Sequence, residues 1–377
     1  MLSRRHIAIG GGTKPTWVVV PTDTGIAFVN RDVTSGELQY SITDANVLGP
    51  DFTDAESIAY IAPTNFNQVT YFGFCQGGAT SYGASLEVNN AVSAFTRDQG
   101  ASLFDTDRVS FGLRSNGTNY IFGADGVRLI RWLGQGDNQA LYTTFADTFN
   151  FSDLNPSEDL LYVCNRTDDT VDTYNPYGNL VDDPAYFLFE DSFSTASEMN
   201  EPIACLIDSA NEVIYVLGSK SAEGKLAAYN IASGSFGTLL DVITLTSWGT
   251  NETNPDSSFG IMRFDTTNNL LCITEGRNGD GIHLVDISDT ANLTDTRIAG
   301  QAAMTGGNMV SKPSSIDFAD GFAYIASGEV DTDPGINALI AVDISTGFTA
   351  SSTVSSALTG TQMGIGNNDN IGLIKAF

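Results

Sequence analysis

From Phe149 to Phe348 the chain repeats one pattern of apolar and polar positions. An apolar run is followed by a short polar turn, then by a second run ending near Ser, Gly or Glu. A loop and a third run ending in Tyr-Asn or Val-Asp complete the unit. "FNFSDLNPSEDLLYVCNRTDDTVDTYNP", "EPIACLIDSANEVIYVLGSKSAEGKLAAYNIASGSF", "FGIMRFDTTNNLLCITEGRNGDGIHLVDISDT" and "KPSSIDFADGFAYIASGEVDTDPGINALIAVDISTGF" all fit it. The N-terminal half carries weaker copies. "TWVVVPTDTGIAFVNRDVTSGELQYSITD" fits well, Ser57–Cys75 supplies two strands, and further strands fall at Ala84–Val88 and Ala91–Thr96. Arg108–Gly134 supplies three, and Asp125-Gly126 predicts a hairpin turn between the last two.

First strands begin near Trp17, Ser57, Arg108, Phe149, Ile203, Phe259 and Ser314. The starts lie roughly 40 to 56 residues apart, the period of propeller blades. Pro15, Pro202 and Pro313 stand just before first strands, where a missing N–H costs the ladder nothing. Room for a fourth strand follows most third strands, as at Ala350–Leu358. No segment sustains a helical period, and the β-branched runs with Gly/Asn/Asp turns predict an all-β chain. One blade cannot bury both of its faces, whereas blades packed radially bury them on their neighbours. The prediction is a single β-propeller domain over 1–377 with seven four-stranded blades. Segments 1–14 and 360–377 would close the ring through the strand-like "RRHIAIGG" and "NIGLIKAF". Eight blades is the alternative, with "QMGIGN" as an extra first strand.

The repeats "LYVCN…TVDTYN", "IYVLG…KLAAYNIASG" and above all "IAVDISTG" (Ile340–Gly347) resemble the YVTN-type, lactonase-like repeat of seven-bladed propellers. The resemblance is strongest over 149–348. It implies fold rather than function, because such propellers serve as lactonases, surface-layer modules, virion parts and binding platforms. The active-site residues of the lactonase-like members have no recognisable counterparts in this chain.

A formal charge of −28, from 45 acidic against 17 basic residues, disfavours nucleic acid and anionic membranes as partners. No apolar run reaches membrane-spanning length, and "MLSRRHIAIGGGTKP" lacks a signal-peptide core, so synthesis in the cytoplasm without a signal peptide is expected. Cys75, Cys164, Cys205 and Cys272 each sit in a predicted strand with no C-x-x-C spacing, which argues for reduced core thiols. "GGGTKP" lacks the spacing and the following helix of a phosphate loop.

Candidate chemistry is sparse. His6 and His283 are the two histidines, and a Ser-His-Asp triad or His-based zinc site is hard to build from them. Carboxylates gather at Glu329, Asp331 and Asp333, at Asp168, Asp169 and Asp172, and at Asp280. The first group is the calcium candidate, although it lacks the glycine turn and distal Glu of an EF-hand loop. No other cofactor is expected. These features predict a non-enzymatic structural or interaction propeller, a virion component such as a phage tail, nozzle or decoration subunit. Its partners would be other protein subunits, a glycan or a host receptor. The alternatives are a lactonase- or sugar-hydrolase-like enzyme, with carboxylates converging from several blades at a channel mouth, and a cellular interaction scaffold.

Overall fold

The computed structural model describes residues 16–22, 25–44, 55–61, 70–76, 82–88, 95–102, 114–115, 120–133, 140–154, 160–176, 187–221, 223–247, 262–275, 281–299, 303–304, 307–308, 312–327, 338–365 and 371–376. Nearly all of them lie in antiparallel sheets. In chain order the first sheet holds β1 (Trp17–Thr22), β2 (Gly25–Arg31) and β3 (Leu38–Asp44). The next holds β4 (Ala55–Ile61), β5 (Thr70–Gln76), β6 (Tyr82–Val88) and β7 (Phe95–Ser102). A six-stranded sheet follows: β8 (Arg114–Ser115), β9 (Tyr120–Leu133), β10 (Ala140–Leu154), β11 (Leu161–Asn165), β12 (Thr170–Asn175) and β13 (Leu188–Ser194). Then come β14 (Asn200–Asp208) to β17 (Thr238–Thr244), with β15 (Val213–Lys220) and β16 (Glu223–Asn230) between them. The next sheet is β18 (Met262–Asp265), β19 (Leu270–Thr274), β20 (Gly281–Asp286) and β21 (Thr294–Ala299). A small hairpin of β22 (Ala303–Met304) and β23 (Gly307–Asn308) precedes β24 (Pro313–Ala319), β25 (Phe322–Ser327), β26 (Leu339–Asp343) and β27 (Thr353–Leu358). A single helical turn, α1 (Gly360–Met363), leads to β28 (Lys375–Ala376).

β28 pairs with β1 through Val18↔Ala376 and Val19↔Lys375, so the C-terminal strand completes the N-terminal sheet. With it, the described residues form five four-stranded sheets and one of six, besides the small hairpin. The six-stranded sheet merges two repeats, because β10 pairs with β9 over Ala140–Thr144 and with β11 over Phe149–Leu154. Among the described residues these larger sheets therefore number one fewer than the seven repeats. The expected turn at Asp125-Gly126 is instead continuous strand within β9. Ile121 and Phe122 pair with β8 while Arg128–Trp132 pair with β10, and pairing to different partners overrides the local turn signal.

Several strands inside the sheets read as nearly continuous apolar runs because both of their faces are covered. β1, β11 and β25 are buried at every position, and β15 at its first six. The fourth strands, β13, β17, β21 and β27, are more exposed and carry polar residues.

The Asp and Asn residues that punctuate the repeat cap its turns. Asn165, Asp208 and Asp265 each accept two backbone N–H bonds from the turn that follows, at 3.0 to 3.3 Å, 3.0 to 3.3 Å and 2.9 to 3.2 Å. Each of these turns ends on a left-handed residue: Asp169, Glu212 or Asn269. At the ends of third strands Asn230, Asp286 and Asp343 accept from the N–H two residues on. The repeat's Tyr-Asn and Val-Asp endings are thus side-chain turn caps.

The described residues fall into two compact units, one within 57–242 and the other within 14–56 and 243–377. In the first, Tyr162, Cys164, Val171, Phe193, Cys205, Ile214 and Tyr229 belong to one core. In the second, a core joins Val18, Val20 and Val29 to Tyr324, Leu339, Met363 and Ile374. Among the described residues no helix is long and apolar enough to cross a membrane.

Candidate functional site

In the second unit the edge strands of three sheets, β18, β24 and β28, lie side by side, β24 in the middle. Hydroxyls stitch the second of these junctions: Ser314 Oγ donates to the Ile371 carbonyl at 3.0 Å, and Ile374 N–H donates to Ser315 Oγ at 2.9 Å. Each strand contributes one charged side chain. Asp317 on β24 accepts from Lys375 Nζ and from the Ala376 N–H, both at 2.9 Å on Oδ2. Arg263 Nε of β18 faces Oδ1 at 3.5 Å. The carboxylate side chain is only 6% exposed, while Lys375 keeps 26% and Arg263 12%.

Burial alone would raise the Asp317 carboxyl. The charges of Lys375 and Arg263 and the hydrogen bonds of Lys375 and Ala376 outweigh it and hold the group below its ordinary value. The result is a fixed anion presenting two cations whose outer surfaces reach solvent. Such a pair can receive an anionic group or a developing oxyanion, and the carboxylate can orient a water.

A second charged cluster occupies one face of the β18–β21 sheet. Alternation puts Gly281, His283 and Val285 on one side of β20, and the register sets Arg297 opposite His283 and Asp295 opposite Val285. Glu275 follows β19 and pairs with Gly281 through its N–H. His283 Nδ1 lies 2.9 Å from Asp295 Oδ2, and its Nε2 3.1 Å from Glu275 Oε1. Arg297 grips Glu275 with two donors, Nε to Oε1 and, at 2.9 Å, a terminal nitrogen to Oε2. Asp295 also accepts the Thr246 N–H at 2.8 Å.

Burial would lower the imidazole, but hydrogen bonds to Asp295 and Glu275 and their charges raise it above its ordinary value. For Glu275, burial is outweighed by Arg297 and His283, bringing it to about 2. With a carboxylate within hydrogen-bond distance of each ring nitrogen, the setting favours the imidazolium, in which both nitrogens donate. His283 is fully buried and Glu275 nearly so, with Arg297 the more open end at 19% side-chain exposure. A side chain at Gly281 has no space: its Cβ would stand 2.5 Å from Glu275 Oε1 and 2.6 Å from Arg297 Nε. This cluster links β19, β20 and β21 and braces the sheet.

Of the residues singled out in the sequence, Glu329, Asp331 and Asp333, together with His6 and Asp280, lie outside the described residues. Among those described, no group of three or more His, Cys, Asp or Glu could hold a metal ion. Asp172 is buried and bonded to Asn165 at 2.9 Å and Thr170 at 2.7 Å. Asp169 accepts the Glu201 N–H at 2.7 Å, tying its turn to β14. Missing from the sequence-based candidates were Arg263, Asp317 and Lys375. Their positions on edge strands were legible, but their convergence was not.

No sequence-family profile and no curated protein matches the chain. Solved structures do. A putative 6-phosphogluconolactonase from Bacteroides fragilis is 12% identical with a TM-score of 0.69, covering 98% of this chain and all of its own. A protein from Lactobacillus plantarum is 12% identical with a TM-score of 0.67, over 97% and 100%. The periplasmic gluconolactonase of Pseudomonas aeruginosa is 11% identical with a TM-score of 0.64, over 94% and 98%. At these identities the likeness shows the fold alone, a multi-bladed β-propeller.

Two of these three neighbours are described as lactonases and none as a virion part. That overturns the expectation of a non-enzymatic structural protein of a phage tail, nozzle or decoration. The physical flaw in that expectation was to equate too few histidines with no catalysis. Strands far apart in sequence bring a carboxylate and two cations together at Asp317.

Proposed function

We propose that the protein is a lactonase-like hydrolase acting on sugar lactones, with Asp317, Arg263 and Lys375 at its site. The observation that carries the proposal is the meeting of one buried carboxylate and two partly open cations on three adjacent edge strands. The fold shared with described lactonases supports it, as does the resemblance of "IAVDISTG" to the YVTN-type repeat.

In this reading the lactone carbonyl oxygen lies against Lys375 Nζ and Arg263, whose charges stabilise the oxyanion that forms as water adds. Asp317 Oδ1 orients that water. The ring C–O bond then breaks, the leaving oxygen takes up the proton lost by the water, and the hydroxy acid ionises in solution. Asp317 is held ionised, so its share is orientation of water and of the two cations rather than strong basicity.

The test is proton release from aldonolactones, neutral and phosphorylated, with spontaneous hydrolysis subtracted. Lys375→Met is expected to lower kcat/KM about 100-fold while the protein still melts cooperatively. Wild-type protein that opens no lactone above the spontaneous rate would sink the proposal.

A further inference from the structure

In the first unit, Cys164 of β11 and Cys205 of β14 come from neighbouring sheets and meet inside one core. Both are free thiols, exposed by 0% and 1% respectively. The Cys205 thiol donates to the Tyr162 carbonyl at 3.5 Å, and Tyr162 and Cys164 sit two residues apart on β11. Cys205 is among the neighbours that raise the Cys164 thiol. Cys272 is the one described cysteine of the other unit.

We propose that Cys164 and Cys205 are a latent redox pair that closes into a disulfide clamping β11 to β14 when the protein meets a low-molecular-weight disulfide. Two S–H bonds break and one Sγ–Sγ bond forms. Two electrons pass to the oxidant, cleaving its S–S bond, and the two protons complete its two thiols. Closure proceeds by exchange: one protein thiol attacks the oxidant and the second displaces the mixed disulfide. Burial first, then the neighbouring thiol and the Asp172 charge, push the Cys164 thiol well above its ordinary range. Cys164 is consequently slow to react, and burial shields both thiols from brief exposure.

Incubating the native protein with oxidised glutathione, then measuring intact mass and mapping peptides without reduction, tests the proposal. The expected product has lost two hydrogens and yields one peptide linking Cys164 to Cys205. Its melting temperature rises by roughly 5 °C, because the closed loop restricts the unfolded chain. Cys164→Ser and Cys205→Ser should each abolish the mass loss and stop at a glutathione adduct. Mapping of wild-type protein needs neither variant to fold. A stable glutathione adduct on wild-type Cys164 or Cys205, a link to Cys75 or Cys272, or no reaction after prolonged incubation below the melting temperature would overturn it. Each of these outcomes is independent of lactone turnover.

Discussion

Two sheet-to-sheet junctions built on the same repeat are held together by opposite chemistry. Where the β10–β13 end of the six-stranded sheet meets β14–β17, the filling is aromatic and sulfur. Phe193 packs on Tyr229 with ring centres 4.8 Å apart and stands edge-on to Phe236 at 5.4 Å, with Tyr162, Met199 and the two thiols around it. Where β18, β24 and β28 meet, a carboxylate and two cations do the joining. On the nearby β18–β21 face the links are Asp295–His283–Glu275–Arg297. The aromatic junction depends chiefly on shape, with its polar ties, such as Asp169 to the Glu201 N–H, outside the apolar filling. The charged one depends on protonation and leaves cation surfaces open. Only 17 basic residues offset 45 acidic ones, and Arg263, Arg297 and Lys375 are each committed to a buried carboxylate. The same backbone repeat thus serves as pure packing in one region and as a polar site in another.

The contrast can be broken from either side. The largest effect is expected from His283→Leu, which removes the cation between two buried carboxylates and should cost about 4 kcal/mol at neutral pH. Urea unfolding reads it; a cost below about 1 kcal/mol would mean that the network is not a brace. Phe193→Ala should come next, at about 3 kcal/mol, through the cavity left between Tyr229 and Phe236. Its cost should be the same at pH 5 and pH 8. A pH-dependent cost there would blur the distinction between the two junctions.

Much of the fold was legible because its signals are local. Strict apolar–polar alternation is absent from "WVVVPT" and "LYVCN", and their nearly unbroken apolar character reports burial on both faces. The capping Asp and Asn residues mark turns within a few positions of themselves. Asp125-Gly126 misled because a turn signal is local while the pairing of β9 with both β8 and β10 is not. His283 was visible as a strand residue, and its partners Glu275 and Asp295 are 8 and 12 residues away. Their convergence needs the register of three strands, which a one-residue slip would reverse. Asp317 and Lys375 are 58 residues apart, and nothing in either segment points to the other. The setting of His283 is ionic rather than apolar.

The smallest expected effect is the most specific, since it comes from the charged brace alone. His283 has a folded value above its ordinary 6.5, so its contribution is complete below pH 6.5 and drains away as pH rises through the folded value. Glu275 and Asp295 have folded values below their ordinary 4.5 and 3.8. Their contributions are complete above those ordinary values and are lost as pH falls through the folded ones. The brace is therefore strongest between about pH 4.5 and 6.5. Rising pH also increases the self-repulsion of a chain already at −28, so wild-type melting curves alone would mix two causes. Comparing wild type with His283→Gln across pH 5 to 9 separates them. The stability gap between the two should narrow steadily above pH 6.5, because the wild type is losing a charge that the variant never had. A gap that stays constant or widens with pH would show that His283 is neutral in the folded protein, and that its two carboxylate contacts do not act as ion pairs.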